Sequence, residues 1–140
     1  MRSRQTALAA SLAVVLSATL APPAQAATVQ KKVLVELRET GGFAGFKDRV
    51  IVYTDGCARV SRRTGPTVDK CLTGKEIRTL RGHLKHLRVG RSEARPPGAD
   101  FITYTLAYRG HRASRYTLPA SWKPVVQQLE QVRQKYWAPD

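Results

Sequence analysis

The side chains in this sequence that could do covalent, metal or acid–base work are two cysteines, three histidines and ten acidic residues. His83 and His86 stand three apart, a spacing that on a helix could put both on one side of a metal ion. No third ligand sits at a nearby spacing, so two solvated residues on a polar helix face are expected instead. The acids are scattered singly, and no close pair is marked out for general acid–base catalysis. The sequence has no G-x-S-x-G elbow, no H-E-x-x-H, no phosphate-cradling glycine loop and no dinucleotide fingerprint. It therefore predicts no catalytic residues, no metal and no cofactor, and points away from an enzyme.

The segment that departs from ordinary connecting structure is Gly41-Gly42-Phe43-Ala44-Gly45-Phe46. Hairpin loops are usually short and polar. Here glycines bracket two phenylalanines, and glycine lets a backbone curve sharply and approach another surface closely. Two outcomes follow. The phenylalanines fold back onto the core, or the segment displays an apolar group for a partner. It is the candidate binding loop.

Residues 1–26 read as a secretory leader. Arg2 and Arg4 are the basic end, Ala7 to Ala21 the apolar stretch, and Ala24-Gln25-Ala26 the cleavage signal. An uncleaved anchor is the alternative, but the apolar run is short for a membrane span. The expected product is a secreted, extracellular protein of one domain, residues 27–140, with no membrane association after cleavage. In an oxidising compartment two cysteines most simply form one disulfide. Cys57 and Cys71 are expected to be bridged, tying a third strand to the start of a helix. Closing a loop of that size is worth about 3 kcal/mol in the chain-entropy view.

The elements that must position these groups are legible from periodicity. Gln30 to Glu39 alternates, with Val33, Val35 and Leu37 on one face. Asp48 to Thr54 is rich in strand formers, and Asp55-Gly56 predicts a type I′ hairpin into a strand over Cys57 to Arg62. Thr73 to Glu76 fits a capping box, followed by Ile77, Leu80, Leu84 and Leu87 at helical spacing. Val89 to Asp100 reads as a long exposed connection that could brace a cleft edge. Phe101 to Tyr108 and His111 to Leu118 form a second hairpin around Arg109-Gly110. Ser121 is the expected cap of a last helix bearing Val125, Leu129, Val132 and Tyr136. The expected fold is α+β, an antiparallel sheet of about four to five strands with two helices packed on one face.

Charge is the strongest compositional signal: 24 Lys and Arg against 10 acids, a net +14. Arg59, Arg62 and Arg63, a basic first helix (Lys75, Arg78, Arg81, Lys85, Arg88), and Arg109, Arg112 and Arg115 form three groups. Such charge would suggest nucleic acid in a cytoplasmic protein, and the leader argues against that partner. A secreted basic module for polyanions or cell-wall polymers, or a simply solvated surface, are the remaining meanings. An unrecognised small hydrolase is a further alternative.

The stretch Leu37-Arg38-Glu39-Thr40-Gly41-Gly42-Phe43-Ala44-Gly45 resembles the glycine–phenylalanine signature of emfourin-like proteins, the protealysin-inhibitor family. The strand from Phe101 to Leu106, the Tyr108-Arg109-Gly110 turn and the Leu118-Pro119 lead into the last helix are similar as well, so the likeness spans the mature chain. The resemblance implies a small α+β inhibitor of thermolysin-like (M4) zinc metalloproteases that occludes the active-site cleft with loops. Such proteases favour a large apolar side chain just after the scissile bond, a pocket that Phe43 or Phe46 would suit.

Overall fold

A computed structural model describes residues 30–98 and 100–137. The expected leader and its cleavage site lie outside the described residues.

Six strands form one antiparallel sheet: β1 (Val33–Gly41), β2 (Phe46–Tyr53), β3 (Cys57–Ser61), β4 (Val68–Cys71), β5 (Ile102–Tyr108) and β6 (His111–Arg115). They lie in the order β4-β3-β2-β1-β5-β6. Helices α1 (Gly74–Lys85) and α2 (Lys123–Trp137) complete the α+β fold. The core joins the inward row of the strands (Val35, Leu37, Val50, Val52, Val60, Leu106) to Leu80 and Leu84 of α1 and to Val125, Leu129 and Val132 of α2. Trp122 is the largest fully buried side chain. Its indole Nε1–H donates to the Arg88 carbonyl at 3.0 Å, which satisfies the one polar group the ring brings inside.

The expected helix start is present at α1. The Thr73 hydroxyl accepts from the Glu76 amide at 3.2 Å, and the Glu76 carboxylate accepts from the Thr73 amide at 2.8 Å. Glu76 also receives Lys135 Nζ and Tyr136 Oη of α2, each at 2.7 Å. One carboxylate thus caps one helix and clamps the other. Burial alone would push this carboxyl up, but the donors from Lys135, Tyr136 and Thr73 outweigh it and hold it at about 2.

Several local expectations are corrected. The sheet has six strands rather than four to five, because Val68–Cys71 is a strand. It is short and mostly exposed, so it carries no apolar alternation to read. The bridge between Cys57 and Cys71 is present, but it joins directly opposed residues of β3 and β4 rather than a strand and a helix start. Asp55-Gly56 belongs to a three-residue loop, not a type I′ turn: Gly56 has φ 86° and its amide donates to the Tyr53 carbonyl at 3.0 Å. Arg109-Gly110 is the turn with two positive φ values, 50° and 78°. Val33 leaves the core row because the register shifts between it and Val35, and it is 46% exposed. The Ser121 hydroxyl does not cap α2, since it donates to the Arg88 carbonyl at 3.4 Å. β6 stops at Arg115.

The connection after α1 is less free than expected. Val89 is buried. The Glu93 amide donates to the Ser114 carbonyl at 2.8 Å, and its carboxylate accepts the amides of Tyr116 and Thr117. The segment therefore shields the outer edge of β6, which would otherwise offer unpaired backbone groups.

Candidate functional site

β1 and β2 pair as far as Gly41 and Phe46, so residues 42–45 are the whole hairpin loop. Gly41, Gly42 and Gly45 have φ of 90°, 72° and 62°, which side-chain-bearing residues rarely adopt. Space also selects glycine. A Cβ on Gly41 would lie 2.6 Å from the Phe101 carbonyl oxygen, and one on Gly45 would lie 2.6 Å from Arg63 Nη1. The Gly45 amide closes the turn on the Gly42 carbonyl at 3.0 Å.

This loop is held from both sides. On one side the Gly42 amide donates to the Phe101 carbonyl at 3.0 Å. On the other, Arg63 Nη1 donates to the Ala44 carbonyl at 3.3 Å. Phe43, at the tip between these supports, is 97% exposed. Phe46 is half-buried at the loop base, with its Cδ2 3.4 Å from where a Gly42 Cβ would stand. Of the two candidate phenylalanines, one is displayed and the other helps hold the loop. Ala44 is exposed beside Phe43.

Beneath the hairpin lies a buried charge cluster. Glu39 and Asp48 are directly opposed across β1 and β2, on the helix side of the sheet. Opposed like charges repel, and Arg133 of α2 spans both, with Nη1 donating to Glu39 and, at 3.0 Å, to Asp48. Arg62 lies 3.4 Å from Asp48 on the other side and stacks its guanidinium 4.6 Å from the Trp137 ring centre. Burial, with the Glu39 carboxylate next, pushes the Glu130 carboxyl above its usual range. Glu39 Oε1 has no hydrogen-bond partner among the described residues. The hairpin is thereby anchored to α2 as well as to its neighbouring strands.

Two features of this end of the sheet were missed by sequence reasoning. Phe101 is 39% exposed, and its ring meets Tyr116 edge-on, 6.2 Å between centres. It follows the connection that was expected to brace a cleft, and the glycine of Pro96-Pro97-Gly98, φ 124°, is the signal that could have marked the ring packed against it. Arg63, one of the basic residues grouped at the third strand, also supports the loop.

Elsewhere the arrangement offers little chemistry. His83 lines a shallow groove of about 340 Å³ between the helices, and His86 ends α1, where its amide bonds the last turn. A second groove of about 440 Å³ is lined by Glu76, whose carboxylate is committed to its three donors, and by Gln128, Gln131 and Lys135. No group of three or more His, Cys, Asp or Glu side chains that could hold a metal ion occurs among the described residues. No helix among them is long and apolar enough to cross a membrane.

Comparison with family models, curated proteins and solved structures finds no match to this chain.

Proposed function

We propose that this is a secreted inhibitor of thermolysin-like (M4) zinc metalloproteases, and that the Gly41–Phe46 hairpin enters the protease cleft with Phe43 as its anchor. The observation that carries this reading is the near-complete exposure of Phe43 on a loop braced by Phe101 and Arg63. A large apolar side chain held in water is costly unless a partner covers it. A braced loop loses little conformational freedom on binding, which favours affinity. It also resists the deformation that cleavage of the bound segment needs. An enzyme that accepts a large apolar side chain next to the scissile bond supplies a matching pocket. The resemblance of residues 37–45 to the emfourin-like signature names the protease class.

The test is a panel of zinc, serine and cysteine proteases titrated with the purified mature protein. Tight, stoichiometric inhibition of a thermolysin-like enzyme, with the hairpin uncut after prolonged incubation, is expected. Absence of inhibition across the metalloproteases, or rapid cleavage between Gly42 and Ala44, would overturn the proposal.

A further inference from the structure

The sheet has a second face, which neither helix covers. Register places Glu36 and Arg38 of β1, Lys47 and Arg49 of β2 and Arg112 of β6 on it. Arg38 and Arg49 are directly opposed neighbours, a like-charge pair that costs stability unless an anion lies between them. Glu36 is that anion. Its Oε1 accepts Arg38 Nε and, at 2.8 Å, Arg49 Nε, while Oε2 is 3.5 Å from Arg112 Nη2. Burial opposes the charged carboxylate, yet Arg49 and Arg38 outweigh burial and hold it below its usual range. Three guanidiniums therefore share one negative charge.

The geometry leaves the outward parts of the forks unused. Arg38 and Arg49 each spend Nε on Glu36, and their Nη atoms have no hydrogen-bond partner among the described residues. Both side chains are 41% exposed. Paired guanidinium Nη groups suit a phosphate oxyanion, which they bind with two parallel hydrogen bonds. Lys47 is exposed two residues along β2, about 7 Å at the strand rise. Arg38, Arg49, Lys47 and Arg63 border one open depression of about 350 Å³. A chain with anions at such intervals, joined by short neutral spacers, would meet both cationic points.

The chemistry of the face selects the occupant. Protein partners need apolar or aromatic anchors. The large exposed apolar side chains among the described residues are Val33, Phe43 and Phe101, at the start of β1, at the hairpin tip and just before β5. Single-stranded nucleic acid is held largely by base stacking on aromatic rings, and the rows that carry Arg38, Arg49 and Arg112 contain none. We propose that this open sheet face docks a linear poly(polyol phosphate), with Arg38 and Arg49 holding one phosphate and Lys47 the next. The site adjoins the hairpin loop, with Arg63 bordering both, but the proposal does not depend on protease inhibition.

The experiment titrates the mature protein with poly(glycerol phosphate) over a series of salt concentrations, beside Lys47→Glu, Lys75→Glu and Phe43→Ala. Lys75 lies on α1, across the core from this face, and gives the same change in net charge. Lys47→Glu should weaken binding about tenfold and reduce the slope of log affinity against log salt by about one to two. Lys75→Glu and Phe43→Ala should leave both unchanged within about twofold, since neither touches a bound phosphate. Arg38→Gln, assayed with its fold checked by circular dichroism, should act like Lys47→Glu. Equal losses from Lys47→Glu and Lys75→Glu would reduce the effect to bulk charge and overturn the site. So would no binding of the polymer, or tighter binding of single-stranded DNA or poly-glutamate than of the polyol phosphate.

Discussion

The amide of Gly42 donates to the carbonyl of Phe101 at 3.0 Å, which fastens the tip of one hairpin to the residue that precedes β5, far along the chain. The contact is close because Gly41 has no side chain: a Cβ there would stand 2.6 Å from the same carbonyl oxygen. Display of Phe43 thus depends on a backbone approach that only glycine permits.

Truncation should separate display from support. Phe43→Ala should change stability by less than about 0.5 kcal/mol, as expected at an exposed position. It should weaken inhibition by about 2 kcal/mol or more, roughly thirtyfold. Phe46→Ala should instead cost about 1–2 kcal/mol of stability, short of the ~3–5 for a fully buried ring. Thermal melts and inhibition constants on the two variants check this. Full inhibition by folded Phe43→Ala would remove the hairpin from the mechanism.

Glycine positions should answer oppositely to alanine. Gly41→Ala meets both a positive φ and the Phe101 carbonyl, so a loss of at least about 1–3 kcal/mol is expected. Gly82, within α1, has open space where a Cβ would go, and Gly82→Ala should stabilise by about 0.5–1 kcal/mol. Denaturant melts of the pair give both signs in one experiment.

The disulfide should appear as a two-hydrogen mass deficit in the unreduced protein. Replacing both cysteines with serine should cost on the order of 3 kcal/mol, since the bridge pins the short edge strand β4 to β3. Two freely alkylated thiols in the native protein would contradict the bridge.

Two carboxyls should give opposite pH signatures. Glu76 sits at about 2 in the folded chain against an ordinary 4.5. The stability it confers is complete above 4.5 and drains away as pH falls towards 2, as the unfolded chain releases its proton less readily than the fold does. Glu130 is displaced upward, so the fold holds a proton that the unfolded chain gives up. Its contribution declines as pH rises from 4.5 through the raised value. Glu130→Gln should therefore raise the melting temperature more at pH 7 than at pH 4. Glu76→Gln should lower it at pH 7 and much less at pH 2. Melts of both variants across that range test the signs.

Local patterns along the chain specify the class of fold and the place of the loop. Alternation in Val35 and Leu37, helical spacing in Leu80 and Leu84, and the Thr73–Glu76 capping box are local patterns, and each formed as its own residues dictate. The cysteine pair was legible from its number alone, whereas its setting was not, because β4 has no apolar alternation and exists by pairing with β3. Tertiary structure decided what the loop does with its two phenylalanines. Composition treats Phe43 and Phe46 alike; the register at Gly41 and Phe46 makes one the base of the hairpin and the other its tip. Tertiary structure also divided the charge. Glu36 and Glu39 look like ordinary surface residues of one strand, but the pleat sends Glu39 beneath α2 to Arg133 and Glu36 outward under Arg38, Arg49 and Arg112. Those partners come from three other elements and from the same strand, and only the packing of distant segments brings them together. Spacing along one chain carries no record of it.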